Sequence, residues 1–182
     1  VVLTTDVFDR FMERNHLRDF AIHDRDDSAI LERFRAAAFP EEIRAQLAAY
    51  LELARYPLAV RSSSLLEDSQ YQPFAGIYET HMVANDHPDR EVRLGILLDA
   101  VKRVYASTFY RRAKAYLDAT GYRLEEEKMA VVLQRLVGRA RGRRPGVAAP
   151  AAAGATGGAE AASAAATEAA ATLTARGLRD LR

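Results

Sequence analysis

The sequence predicts an α+β domain followed by a low-complexity tail. Three observations carry that prediction: long stretches with apolar residues at helical spacing, short apolar runs rich in β-branched residues, and an abrupt change of composition after Val137. Val1-Val2-Leu3 reads as the end of a buried strand. Thr4-Thr5-Asp6 supplies helix-start chemistry, and Val7, Phe8, Phe11 and Met12 follow at helical spacing. Asp27-Ser28 is placed to cap a second helix carrying Ile30, Leu31 and Phe34. Pro40-Glu41-Glu42 opens a third, with proline in the first turn and acids near the positive end of the dipole; Ile43, Leu47, Tyr50, Leu51 and Ala54 form its apolar face.

Tyr56 to Val60 reads as a short buried strand and Gly76 to Val83 as a second one. Pro88-Asp89 starts a long helix in which Val92, Ile96, Ala100 and Val104 recur every fourth residue, with Leu97, Val101, Tyr105 and Phe109 beside them. That helix is expected to run, with a break, to Thr120-Gly121. The continuous apolar run Met129 to Leu133 suits a central strand. Ala148 to Ala175 is mostly alanine. A helix with almost no large apolar side chain has nothing to bury, so this segment is expected to be disordered or marginally helical. The abruptness of the change also suits a shifted reading frame. The domains expected are therefore 1–137 and a tail, 138–182.

The chain of 182 residues is long enough for one domain with a real core. It has no cysteine, which excludes disulfides and thiolate metal sites. No apolar run approaches the roughly 20 residues of a membrane helix, and no charged-then-apolar leader opens the chain. The expectation is a cytoplasmic protein without membrane contact, and a first residue Val1 rather than Met suggests a cut N-terminus. Charge is divided: residues 138–182 hold 7 Arg and 3 acidic residues, which leaves 19 basic and 22 acidic residues in 1–137. A mildly acidic body argues against a nucleic-acid surface. A local anion site is compatible with it, because one arginine in a low-dielectric pocket acts regardless of net charge.

The stretch from Pro57 to Thr80 raises that possibility. An apolar strand ends on Arg61, Ser62-Ser63-Ser64 follow, and Gly76 sits after Phe74-Ala75. Arginine bridges two phosphate oxygens with one planar group, and small residues let backbone N–H groups approach an anion closely. An ordinary surface loop would read the same way from composition alone.

The ordered motifs go further. Val60-Arg61-Ser62-Ser63, Glu67-Asp68, Phe74-Ala75-Gly76 with Thr80, Ala106-Ser107-Thr108-Phe109 with Arg111 to Tyr116, and Val131-Val132-Leu133-Gln134-Arg135-Leu136-Val137 follow one another in order. The chain from about Pro57 to Val137 thereby resembles the N-terminal ATP-binding domain of the phosphoenolpyruvate synthase and pyruvate phosphate dikinase family. The resemblance implies part of an ATP-grasp-type domain, a mixed sheet packed with helices. It implies ATP as ligand, with Arg61 on the phosphates, Gly76 acting through its backbone, Thr80 through its hydroxyl, and Gln134 facing the adenine. Residues 135–137 would form the hinge to a second lobe. The implied activity is a dikinase-type phosphotransferase that moves phosphate from ATP through a phosphohistidine to pyruvate.

The family's lysine in a Gly-rich segment is expected upstream of Val1, and the groups that hold Mg2+ beyond Gln134, outside this chain. Pyruvate would be met only through other domains. By itself the chain is expected to show no turnover, and no catalytic residue is assigned within it. The alternative is a non-catalytic nucleotide-sensing or interaction module, or a degenerate fragment.

Other features carry blander readings. Adjacent Glu67 and Asp68 seldom chelate one ion, so no metal site is expected. His16, His23, His81 and His87 lack the flanks of a phosphohistidine and read as solvated. Arg111, Arg112 and Lys114 read as a solvated face, with a phosphate contact or an ion pair to Glu125–Glu127 as the alternative. Arg139, Arg141, Arg143 and Arg144 form a nonspecific basic tail, Gly154 to Gly158 lacks the following Gly-Lys-Ser/Thr of a phosphate loop, and Ser62 to Ser64 have no base near in sequence. The tail yields a testable expectation: limited proteolysis should cut it first, and removing Ala148–Ala175 should change stability by less than about 1 kcal/mol.

Overall fold

The computed structural model describes residues 1–64, 76–120 and 122–137. The alanine-rich tail, Glu67-Asp68 and Phe74-Ala75 lie outside the described residues. In chain order the elements are β1 (Val2–Leu3), α1 (Thr5–Arg14), α2 (Arg18–His23), α3 (Asp27–Ala36), α4 (Glu41–Leu53), β2 (Leu58–Ser63), β3 (Thr80–Val83), α5 (Arg90–Ser107), α6 (Arg111–Thr120), a 3₁₀ turn (Leu124–Glu126) and β4 (Ala130–Arg135).

The α+β class is observed, but the sheet is not mixed. Its order is β1-β4-β2-β3, and every pair is antiparallel. The reason lies in the placement of β4: β1 and β2 run in the same direction, yet β4 is inserted between them and opposes both. The run Met129 to Leu133 does supply a central strand, although it is buried on one face only. Val131 and Leu133 are buried while Ala130 and Val132 are half-exposed, the alternation of a sheet with one open side.

Helix starts follow local chemistry with small shifts. The second predicted cap belongs to Asp26, whose carboxylate accepts from the Ser28 amide at 2.9 Å. Asp89 caps α5 in the same way, accepting from the Glu91 amide at 2.8 Å. The short helix α2 has no counterpart in the sequence reading. In α5 the buried stripe is Leu94, Leu97, Leu98, Val101, Val104 and Tyr105, whereas Val92 and Ile96 are 40% and 47% exposed. The expected break falls at Thr108–Tyr110, between α5 and α6.

The core joins the inner sheet face (Leu3, Leu58, Val60, Val83, Val131, Leu133) to the helices. Phe8, Phe11, Phe34, Phe39, Tyr105 and Phe109 interlock at its centre, Phe8 meeting Tyr105 edge-on at 5.0 Å. Arg93 and Glu127 are the charged residues buried among the described ones. Arg93, 1% exposed, donates from Nη1 to the carbonyls of Leu51 and Ala54 at 3.0 and 3.1 Å and to Asn85 Oδ1 at 3.3 Å. It therefore sits on the negative end of α4. Arg93→Ala should lower the unfolding free energy by about 3 kcal/mol through lost packing and unpaired acceptors. Arg93→Lys should recover part, since an ammonium still donates to a carbonyl; urea unfolding of both variants checks this.

Candidate functional site

Strand register decides which side chains share a face. In β2, Arg61 lies opposite Thr80 of β3 and Val132 of β4, and Ala59 lies opposite Met82 and Gln134. Directly opposed residues project from the same side. Arg61, Thr80, Gln134, Met82 and Val132 therefore occupy the outer face, away from Leu58, Val60 and Leu133. Arg61, Thr80 and Gln134 are all exposed. Arg61 is the fourth of six residues in β2 rather than the end of a strand, because Ser62 and Ser63 continue the pairing with Val131 and Ala130.

The Arg61 guanidinium donates to Gln134 Oε1 at 3.4 Å. As a purely structural residue Arg61 would pair with Glu67 or Glu79; the Glu79 carboxylate instead bonds His81 Nε2 at 2.7 Å, and Glu67 lies outside the described residues. The outer face also carries apolar surface: Val2, expected in a buried strand, is 55% exposed because β1 buries only Leu3, and Met82 is 60% exposed. The alternation of β4 was the available signal for this surface.

Gly76 precedes β3 in a turn, not in the strand predicted from Gly76 onward; β3 begins only at Thr80. Its φ is +79°, a left-handed conformation that favours glycine. Among the described residues an added Cβ would meet Arg112 Nη2, at an ordinary 3.9 Å, so the backbone conformation is what favours glycine there. The following residues are pinned to the helices. Tyr78 donates its hydroxyl to buried Glu127 at 3.0 Å. The Glu79 amide donates to Ser107 Oγ at 3.1 Å, and that hydroxyl donates to the Val104 carbonyl at 2.7 Å.

In the basic cluster of α6, Arg111 and Arg112 are exposed, as on a solvated face, and Lys114 is half-buried, but each also meets a partner. Arg111 lies 3.8 Å from Asp27, Arg112 donates to the Gly76 carbonyl, and Lys114 donates to the carbonyls of Ala21 and Asp24 at the end of α2. Burial lowers the Lys114 pKa below the ordinary lysine value, against the opposing pull of Asp24 and Asp27. Lys114 and Arg111 line a cleft of about 670 Å³ between α2, α6 and the 3₁₀ turn. Arg123 on the same wall lies 3.7 Å from both Glu125 and Glu126. The cleft is thus braced by cations already engaged. Among the described residues no group of three His, Cys, Asp or Glu could hold a metal ion, and no helix is long and apolar enough to cross a membrane.

An α+β lobe with one covered and one open sheet face, the open face bearing a guanidinium, an amide and a hydroxyl, is the class of structure these observations define. The family described as "pyruvate phosphate dikinase, AMP/ATP-binding domain" matches residues 1–171. The chain belongs to that family. It is also 30% identical over 139 residues to the "uncharacterized phosphotransferase YvkC" of Bacillus subtilis (strain 168), an alignment covering 75% of this chain. The chain spans 15% of that relative's length.

The pinning of the turn supplies a direct check. Tyr78→Phe removes one donor from a buried carboxylate, and should cost about 1–3 kcal/mol of stability in urea unfolding.

Proposed function

We propose that residues 1–137 form the nucleotide-binding lobe of a dikinase-type phosphotransferase, with ATP lying against the outer face of the sheet. The observation that carries this reading is that Arg61, Thr80 and Gln134, distant in sequence, share that face in register. Arg61 takes phosphate oxygens, the Thr80 hydroxyl and the backbone around Gly76 add donors, and Gln134 lies toward the adenine. The Leu136 amide is not free to read the base, because it donates to the Pro57 carbonyl at 2.9 Å. Exposed Met82 and Val2 and half-exposed Val132 offer apolar surface for the rest of the nucleoside. Catalysis of phosphoryl transfer is largely positioning and charge stabilisation, which is what guanidinium and backbone donors supply.

In the whole protein, phosphate would pass from ATP to a histidine carrier and on to pyruvate, through other parts of the enzyme. Magnesium would draw its ligands from outside the described residues and would neutralise charge on the phosphates. Membership of a family defined by AMP/ATP binding, and similarity to a protein named as a phosphotransferase, support the reading.

Arg61→Ala should weaken ATP binding by about 1.5–3 kcal/mol, the range for a hydrogen bond to a charged partner. Arg61→Lys should restore only part, since it keeps the charge and loses the two-pronged geometry. Calorimetric titration together with a melting curve separates this from a structural role. An unchanged dissociation constant with a lowered melting temperature would remove Arg61 from the site.

A further inference from the structure

The cleft between α2, α6 and the 3₁₀ turn is lined by Arg25, Arg111, Lys114 and Arg123 against two acids, Asp118 and Glu125. Its volume of about 670 Å³ lies in the range of small-molecule sites. None of its lining residues belongs to a strand, so it is separate from the outer face of the sheet.

The cations that brace it are engaged without being neutralised. Lys114 is half-buried and bonds the carbonyls of Ala21 and Asp24, neutral acceptors that orient the ammonium and leave its charge intact. The Arg111 guanidinium stands 3.8 Å from the Asp27 carboxylate, and that of Arg123 stands 3.7 Å from Glu125 and Glu126, separations too long for hydrogen bonds. Their side chains are 75% and 69% exposed. Exposed pairs of this kind are worth less than about 1 kcal/mol, so an incoming anion can recruit both guanidinia at little cost. Arg25 lies close enough to Lys114 for its like charge to join burial in lowering the Lys114 pKa, and the two together prevail over the pull of Asp24 and Asp27. A like-charged pair with one member partly desolvated is relieved by an anion that meets both.

The donors come from three elements: Arg25 from the segment after α2, Arg111 and Lys114 from α6, and Arg123 from the approach to the 3₁₀ turn. A carboxylate is planar and takes its donors near that plane. A phosphoryl group offers three acceptor oxygens in a tetrahedral array, which separate walls can meet at once. Ile22, Tyr122 and Leu124 add apolar surface to the same cleft, suited to the body of a molecule whose head is charged.

We propose that this cleft is a second anion site, which binds a phosphoryl group, free or carried on a small organic molecule, through Arg25, Arg111, Lys114 and Arg123. The inference does not rest on the nucleotide reading. It assigns a role to Arg111 and Lys114 that the outer face of the sheet does not use.

The test titrates the full chain with inorganic phosphate, phenyl phosphate and malonate, following backbone amide shifts by NMR and affinities by calorimetry. Both phosphates should shift the amides of Ala115, Asp118 and Leu124, and malonate should bind more weakly than either. Tighter binding of phenyl phosphate would assign the site to a phosphorylated organic molecule, because its ring buries apolar surface, and equal affinities would assign it to free phosphate. The double variant Arg25→Ala/Arg123→Ala changes two exposed residues and should weaken phosphate binding by about tenfold or more with an unchanged melting curve. Lys114→Gln removes the charge while keeping an amide that can donate to the α2 carbonyls, and should weaken binding by about tenfold. Phosphate that leaves the cleft amides unshifted would overturn the inference, whether or not Thr80 and Gln134 respond. So would variants that bind phosphate as the wild type does, or malonate that binds as tightly. Phosphate bound in the cleft of a chain that binds no ATP would defeat the nucleotide reading and leave this site standing.

Discussion

Everything on the outer face depends on the register of β2 between β3 and β4. Val60 pairs with His81 and Leu133, and Arg61 with Thr80 and Val132. Side chains alternate strictly, so a slip of one residue would drive Arg61 into the core and lift Val60 to solvent. Burying an unpaired guanidinium costs far more than exposing a valine, which makes the observed register strongly preferred. The hydrophobic pattern of β2 thus does more than build the core. It aims the one arginine of the strand outward, onto the side that Thr80 and Gln134 share.

The ends of that register are fixed by polar groups buried where α4 hands over to β2. Asn85 follows β3, adopts a positive φ of 54°, and donates to the carbonyls of Ala54 and Tyr56 at 2.9 and 3.0 Å. Its own carbonyl accepts from Arg93, which also holds Leu51 and Ala54. One asparagine and one arginine therefore tie the end of α4, the entry to β2 and the exit from β3 to the first turns of α5. Backbone carbonyls left over at a helix end must find donors when they are buried. Here a side chain from α5 meets that demand, and the price of burying its charge is set against three hydrogen bonds, to the carbonyls of Leu51 and Ala54 and to the Asn85 amide oxygen.

Much of this was legible in the chain, and the misses have physical causes. The apolar spacing of α1 and α4 and the runs at Leu58–Val60 and Val131–Leu133 are period signals, and they emerge as expected elements. The helix α2 was invisible because six residues with one buried side chain, Ala21, carry almost no periodicity. In α5 several registers of apolar residues coexist, and only packing against α3, α4 and the sheet selects Leu94 and Leu98 over Val92 and Ile96. Strand direction was misjudged because spacing along the chain does not say that β4 returns between β1 and β2. For the candidate site, Arg61, Thr80 and Gln134 were named from motif resemblance, and register then brings them together. Arg112 was read with Arg111 and Lys114 as a solvated face, and Ser107 stood inside a quoted motif without a role. Their partners, Gly76 and Glu79, lie 36 and 28 residues away, beyond the reach of any local pattern.

The partner of Arg61 bears on how such a face could accept an anion. Gln134 is a neutral acceptor, and the 3.4 Å contact is at the long end of hydrogen bonding. A carboxylate in that place would cancel the charge and would have to be displaced at the cost of a charge-assisted bond. The amide holds the guanidinium on the outer face without neutralising it. Glu79, the acid nearest along β3, is turned to His81 instead, on the opposite side of the strand from Thr80. Arg61, kept oriented by Gln134 and with no carboxylate within ion-pair distance among the described residues, has its positive potential arranged before any ligand arrives. On the proposed reading that arrangement favours binding, because less of the interaction energy is consumed in ordering the site.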